Sequence, residues 1–323
     1  MISNNLWVCY EMSINFRVEW QAHSLSNAGS NGSNRLLPRR QLLADGTETD
    51  ACSGNIAKHH HAVLLAEHFE AVSIPLCPAC RNRDGRRAAA LINLTDYKEL
   101  TIERILKECG LCDAHGFLVT SKNAASDGST ETRQRLSKHS LVEFSYALAL
   151  PGHHTETTQI ATRNGSSKED GQMIMKMPSR SGQYSRCVRY RSVGIGVDTD
   201  KWKLVVNDEE KRILRHQAIL RTLMDSVLSP EGALTATMLP HLTGLNGAIV
   251  IRTTPGRAAI YSALEPDFIT LLVSLEDDTC RVFPFTTITE FSNAMKELIK
   301  HSIPALPSQN HLGANKVSPT KID

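Results

Sequence analysis

Two cysteine pairs, Cys77-Pro-Ala-Cys80 and Cys109-Gly-Leu-Cys112, separated by 28 residues, carry the most specific chemistry in this chain. Each C-x-x-C pair can turn two thiolates toward one ion from a tight knuckle, so the four suit a tetrahedral metal, with zinc the natural candidate. Four thiolates would fill the coordination shell, so Cys77, Cys80, Cys109 and Cys112 are expected to staple the fold rather than catalyse. Four unmetallated thiols or a redox pair are the competing readings, and the gap exceeds the commonest zinc-ribbon spacing. The other four cysteines, Cys9, Cys52, Cys187 and Cys280, are scattered.

A second chemical stretch is Asp50-Ala-Cys-Ser-Gly-Asn-Ile-Ala-Lys-His-His-His61. Ser53 or Asn55 can cap a helix here, and Gly54 lets another backbone come close. The unpaired N–H groups and the positive end of the helix dipole then favour phosphate or carboxylate. The plainer alternative is a capped helix with a polar outer face. Consecutive helical residues point about 100° apart, so His59, His60 and His61 cannot converge on one metal; phosphate-facing or surface roles suit them better.

Basic residues gather at Arg35, Arg39 and Arg40, at Arg133, Arg135 and Lys138, and at Arg186, Arg189 and Arg191. Such edges can follow a nucleic-acid backbone, and a solvated strand end is the alternative. With a net charge of +2 over 323 residues, any phosphate-binding surface must arise by segregating charge rather than by excess. No paired-carboxylate or nucleophile–base pattern points to catalysis. No secretory leader or long apolar run is evident, so the expectation is a cytoplasmic, non-membrane protein whose cysteines are thiols or metal ligands.

The elements that must position these groups follow from periodicity. Alternation over 6–20 predicts one long strand with a single buried face, and 24–34 predicts a loop leading to the arginines. A helix is predicted over 54–70, then an insertion with a short helical piece near 98–108 and a polar loop at 122–130. Strands are predicted at 140–150, stopped by Pro151-Gly152, and at 184–198. A helix over 208–228, a strand at 247–252 and a last helix at 286–299 complete the set. The order β-α-β-β-α-β predicts an α+β, ferredoxin-like (RRM-like) fold with large insertions.

Five segments in order resemble one family: Ala22-His-Ser-Leu-Ser-Asn-Ala-Gly29, Ser53-Gly-Asn-Ile-Ala-Lys-His59, Asp113-Ala-His-Gly-Phe-Leu118, Ser137 to Leu150, and Ser167-Lys-Glu-Asp-Gly-Gln-Met173. Together they resemble the DevR-type backbone subunit, of the Cas seven family, of type I CRISPR effector (Cascade) complexes, of an I-B-like or I-A-like kind. The resemblance implies a hand-shaped protein. Its palm comprises 1–75, 140–150 and 184–303, with an extended thumb at 151–183. The paired cysteines, which the family does not require, suggest a subgroup with an inserted, zinc-stapled finger domain at 76–139, and 304–323 is expected to be a flexible tail.

The resemblance further implies that many copies line a guide CRISPR RNA as a filament and present it to a target DNA strand. Other Cascade subunits would attend, with either a helicase-nuclease or transposition proteins downstream. By matching segment, Asn27, Lys58, His59, Arg133, Arg135 and Lys138 would line the RNA path, and Met173 and Met175 would press apolar surface against bases. Arg35 and Arg39 are added on charge and position. Backbone subunits of this type are regarded as non-catalytic. The alternatives are a metal-dependent nuclease subunit using Asp45, Asp50 and the histidines, and a DNA-binding autoregulator; no helix-turn-helix pattern accompanies the latter.

Overall fold

The computed structural model describes residues 6–31, 34–91, 100–122, 133–164 and 172–307. The strands are β1 (Trp7–Cys9), β2 (Glu11–His23), β3 (Asn27–Asn31), β4 (Arg35–Pro38), β5 (Arg40–Leu42), β6 (Glu48–Cys52), β7 (Phe117–Lys122), β8 (Arg133–Lys138), β9 (Val142–Phe144), β10 (Ala147–Asn164), β11 (Gln172–Tyr190), β12 (Val197–Asp198), β13 (Lys203–Leu204), β14 (His241–Arg252), β15 (Cys280–Phe285) and β16 (Ser302–Pro304). The helices are α1 (Gly54–Ala71), α2 (Pro78–Arg81), α3 (Ile102–Glu108), α4 (Gly110–His115), α5 (Glu209–Leu228), α6 (Phe268–Val273) and α7 (Ile288–His301).

The result is a mixed α/β fold built on a main sheet in the order β15-β14-β2-β11-β10-β6-β5, with β9 also paired to β11. Successive neighbours along that path are antiparallel. Met12, Ile14, Phe16, Val18 and Trp20 of β2, with Tyr184, Val188 and Tyr190 of β11, bury one face of the sheet. Helices α1 and α5 cover that face, and Phe16, Trp20 and Val188 share a small cavity with Ala57 and His60 of α1 and Val227 of α5. Helix α5 starts where expected because Asp208 caps it, accepting from the Lys211 N–H at 3.1 Å.

The first strand is covered on both faces, contrary to the sequence expectation. Glu11, Ser13 and Asn15 are buried as fully as the apolar set, because residues 258–263 lie across them. Ser13 Oγ donates to Ala259 O at 2.6 Å, and Asn15 Oδ1 accepts from Tyr261 N at 3.0 Å. These hydrogen bonds let polar side chains sit in an interior that their alternation with apolar residues alone assigns to solvent. The strand also breaks at Tyr10: Leu6 and Val8 are exposed, while Trp7 to Cys9 pair in parallel with Ser302 to Pro304.

Other boundaries move as well. Part of the expected loop at 24–34 is strand, β3 pairing with β4. Pro151-Gly152 does not stop the strand: β10 passes through with an irregular register between Ala149 and His154 and continues to Asn164. The 184–198 strand ends at Tyr190 but begins at Gln172, so β10 and β11 form a long two-stranded ribbon. The polar loop expected at 122–130 lies, from 123 on, outside the described residues, as do 165–171 of the expected thumb and the tail from 308. Helix α6, strand β15 and the β1–β16 pair were not anticipated, since each is too short to show a period.

Candidate metal centre and nucleic-acid interface

The sulfur atoms of Cys77, Cys80, Cys109 and Cys112 all lie within 4.8 Å of one another, and all four residues are buried. Cys112 Sγ stands 3.6 Å from Cys80 Sγ and 4.0 Å from Cys77 Sγ. Four thiolates at a Zn–S distance of ~2.3 Å in a tetrahedron stand about 3.8 Å apart, so donor set and spacing fit a closed tetrahedral site. Sequence makes the knuckles: Pro78 opens α2 directly after Cys77, and Cys109 caps α4, its sulfur accepting the Cys112 N–H at 3.3 Å. The scattered thiols are instead buried and protonated, Cys9 and Cys52 pushed up to about 12 by desolvation.

Helix α4 ties this centre to the rest of the core. Asp113 lies between the sulfur-bearing Cys112 and His115, and its carboxylate accepts from Lys138 Nζ at 2.6 Å, Arg215 Nη1 at 2.7 Å and Gly196 N at 2.9 Å. Gly116 ends the helix at φ 71°, and a Cβ there would meet Lys138 O at 2.2 Å, so only glycine fits. Lys138 is therefore not a phosphate contact. Its ammonium is buried, also donates to Gly194 O and Val197 O at 2.8 Å each, and has no donor left for RNA. Burial pulls its pKa below the usual lysine value, with Asp113 opposing.

At the entry to α1, Ser53 caps the helix by accepting the Asn55 N–H at 3.2 Å. Gly54 is needed for close approach, since a Cβ there would lie 2.4 Å from Phe144 O. The Phe144 carbonyl occupies the space beside that first turn. His60 and His61 are buried, which overturns the surface role expected for them. His60 Nε2 donates to Ser229 O at 3.1 Å, and its Nδ1 faces Glu231 at 3.3 Å.

His61 Nε2 donates to Thr222 Oγ1 at 3.0 Å, because that hydroxyl spends its own proton on Ala218 O or Ile219 O. His61 Nδ1 then accepts from His115 Nε2 at 2.8 Å, which leaves the buried His115 Nδ1 without a partner. Burial lowers the His61 pKa to about 3.

Asp50 is fully engaged. Its Oδ1 accepts from Arg180 Nη1 and its Oδ2 from Tyr184 OH, both at 2.7 Å, with His23 Nε2 donating to that phenol at 2.9 Å. Arg180 Nη2 donates to Ser26 O at 2.7 Å. Asp45 sits exposed in a turn, capping Thr47 N at 2.9 Å.

The other expected RNA contacts fall into two groups. Arg39 donates to Asn27 O at 2.9 Å and to Ser26 Oγ at 3.1 Å, and Ser26 Oγ also receives the Ser53 N–H at 3.3 Å, so Asn27 and Arg39 join the start of α1. Lys58 is half-buried there and His59 exposed, the latter lining a cavity of about 520 Å³ with Asn55, Ile56 and Val63. Arg135 is exposed on the separate β7–β8 hairpin, opposite Thr120. Arg133 lies opposite Lys122 on that hairpin, and Met173 opposite Arg163 on the β10–β11 ribbon.

Arg186, Arg189 and Arg191 do not form a free basic patch. Arg186 lies 5.5 Å over the Trp20 ring, Arg189 pairs with Glu143, and Arg191 lies 3.4 Å from Glu11.

Arg35 is exposed on β4, whose register puts it beside Lys176 of β11, itself opposite Ile160 of β10. Residues directly opposite one another share a sheet face, so Ile160, Lys176 and Arg35 form one row, with Ile174 two residues along. Ile160 is 68% exposed and Ile174 51%. Met175 points to the other face and is half-buried. The exposed apolar groups of the ribbon were missed because only β4, hidden in an apparent loop, and the register identify them.

The family model described as DevR, "CRISPR-associated negative auto-regulator DevR/Csa2", matches residues 14–270. A search of the curated proteins gives no match. Among solved structures, similarity extends to a chain of a "CRISPR RNA-guided surveillance complex" at 14% identity, covering 88% of this chain and 83% of that one, with a TM-score of 0.39. A chain of a "CRISPR RNA-guided surveillance complex, pre-nicking" is 12% identical over 93% of this chain and 97% of that one, with a TM-score of 0.40. No helix among the described residues is long and apolar enough to cross a membrane.

Proposed function

This chain belongs to the CRISPR-associated DevR/Csa2 family, and from that premise we propose that it is a guide-RNA-binding, filament-forming structural subunit of a type I Cascade complex. The observation that carries the proposal is the exposed row Ile160, Lys176 and Arg35 on the ribbon and its flanking strand, apolar surface for bases beside two cations for phosphates. In this reading β2, α1, β9 with β10, β11, α5 and β14 are a ferredoxin-like (RRM-like) palm. Residues 76–139 are the finger domain and 151–183 the thumb. The protein holds the guide by its backbone, and base pairing with target DNA selects the sequence. Copies of the chain and other Cascade subunits are its partners.

Zinc is the metal assigned to Cys77, Cys80, Cys109 and Cys112, as a staple of the finger domain. The role is non-catalytic. Asp50 has both oxygens committed to Arg180 and Tyr184 in the interior, and the exposed Asp45 caps its own turn at Thr47 N.

The test is native purification with analysis of co-purifying nucleic acid. Large particles carrying a discrete RNA are expected, whereas a nucleic-acid-free monomer that ignores added RNA would remove the proposal. A second reading, a DNA-binding autoregulator, rests on the family's description as a negative auto-regulator. Binding to duplex DNA in preference to single-stranded RNA would favour it.

A further inference from the structure

We propose that Arg87, from the cysteine-rich segment, and Lys58 of α1 together form a two-cation seat for one backbone phosphate of bound RNA. The inference rests on the RNA-binding reading above and adds to it a residue outside the resembling segments.

Lys58 and His61 are three residues apart on α1 and share a helix face. His61 is hydrogen-bonded to His115, and the carbonyls of His115 and Gly116 both accept from Arg87 Nη1 at 3.2 Å. That chain of contacts pins the guanidinium to the same wall as the lysine. Among the described residues those two bonds are the only ones Arg87 makes, so Nε and Nη2, the edge that can hold two oxygens of one anion, have no partner there.

Neighbouring cations are already matched to carboxylates: Arg83 to Glu70, Arg86 to Asp84, and Arg189 to Glu143. Among the described residues Lys58 and Arg87 make no ion pair. Burial is the main cause that lowers the Lys58 pKa, Arg87 adds to it, and Glu143, which opposes them, is held by Arg189. Two cations that repel one another and make no ion pair of their own favour an anion between them. Arg87 also sits at φ 51°, a left-handed conformation that a non-glycine residue adopts only under constraint and that clusters at ligand clamps.

The test titrates the full chain with a labelled single-stranded RNA between 50 and 200 mM salt, comparing wild type with Lys58→Ala, Arg87→Gly and the double variant. Arg87→Gly relieves the left-handed backbone, and Arg87→Gln, which keeps the amide donors without the charge, repeats the measurement if the glycine variant melts early. Each single variant is expected to flatten the log–log salt dependence by about 0.7, and the double variant to lose no more, because both cations serve one phosphate. Wild-type affinity and slope in both Arg87 variants, or fully additive losses, would overturn the seat while leaving RNA binding by Lys58 intact. A wild-type chain with no salt-dependent RNA affinity would bring down both readings.

Discussion

His61 and His115 lie 2.8 Å apart, Nδ1 to Nε2, in the interior, and this bond joins the first helix to the helix that carries Cys109 and Cys112. Both rings are neutral, and they are not alone. His23 and His216 also donate through Nε2, to Tyr184 OH and Ser302 Oγ, both at 2.9 Å. At Nδ1 each meets a donor, Leu25 N–H for His23 and Tyr190 O–H for His216. A second proton on His23, His61 or His216 would face another donor, and one on His115 would be buried at Nδ1 without a partner.

The consequence is acid lability. Burial lowers His23, His61 and His216 from 6.5 to about 3. Between those values the unfolded chain binds protons that the folded chain refuses, so stability is full above about pH 6.5 and falls as the pH drops toward 3. Each such histidine costs up to about 1.4 kcal/mol per pH unit. The urea midpoint should therefore fall steeply from pH 7 to pH 5, with a shallower fall in His216→Asn. An unchanged midpoint over that range would show that these rings take up protons in the folded state.

Metal content tests the staple. One zinc per chain is expected in purified protein. Cys80→Ser and Cys112→Ser should each lose it and lower the melting temperature, as strong chelation does, because a site formed only in the fold adds its binding energy to stability. The scattered Cys187 is buried away from the sulfur cluster, so Cys187→Ser should keep the zinc. Protein with no metal and four freely titrating thiols would replace the staple with plain cysteines.

Asp113 is the anion on which the core around α4 depends. Asp113→Ala strands two buried cations, Lys138 and Arg215, and is expected to destabilise the chain by about 3–5 kcal/mol in denaturant titrations. Lys138→Met leaves Asp113 with Arg215 and should cost less. Because Lys138 reaches no surface, its replacement should leave the salt slope of RNA binding unchanged; a flattened slope would return it to the RNA path.

The long elements were legible for different reasons: α5 and β2 show their periods, β2 alternating through Trp20, whereas α1, whose buried face mixes alanines with His60 and His61, was legible from its Ser53 cap. The sulfur cluster was legible from spacing alone. Polar residues misled wherever their partners were distant in sequence. Nothing near Lys138 marks it as the partner of Asp113 and of the Gly194 and Val197 carbonyls, and three consecutive histidines look alike although His59 is exposed and His60 and His61 are buried. Arg87 carries no local signal at all; only its backbone angle and the carbonyls it holds distinguish it from Arg86.

The ribbon gives a prediction that separates two faces of one strand. The resemblance assigns Met173 and Met175 to press on bases, yet the face opposite Met175 carries the exposed Ile160 and Ile174 with Lys176 and Arg35. Exposed side chains of this kind contribute little to stability, within about 0.5 kcal/mol on replacement. Lys176→Ala and Arg35→Ala should each flatten the salt dependence of RNA affinity by about 0.7. Ile160→Ala removes apolar area without charge, so it should weaken binding by about 1 kcal/mol, roughly fivefold, at an unchanged slope. Met175→Ala, half-buried on the opposite face, should act first on the melting temperature. Loss of RNA affinity in Met175→Ala with none in Ile160→Ala would reverse the assignment of the two faces, and with it the direction from which the guide approaches the ribbon.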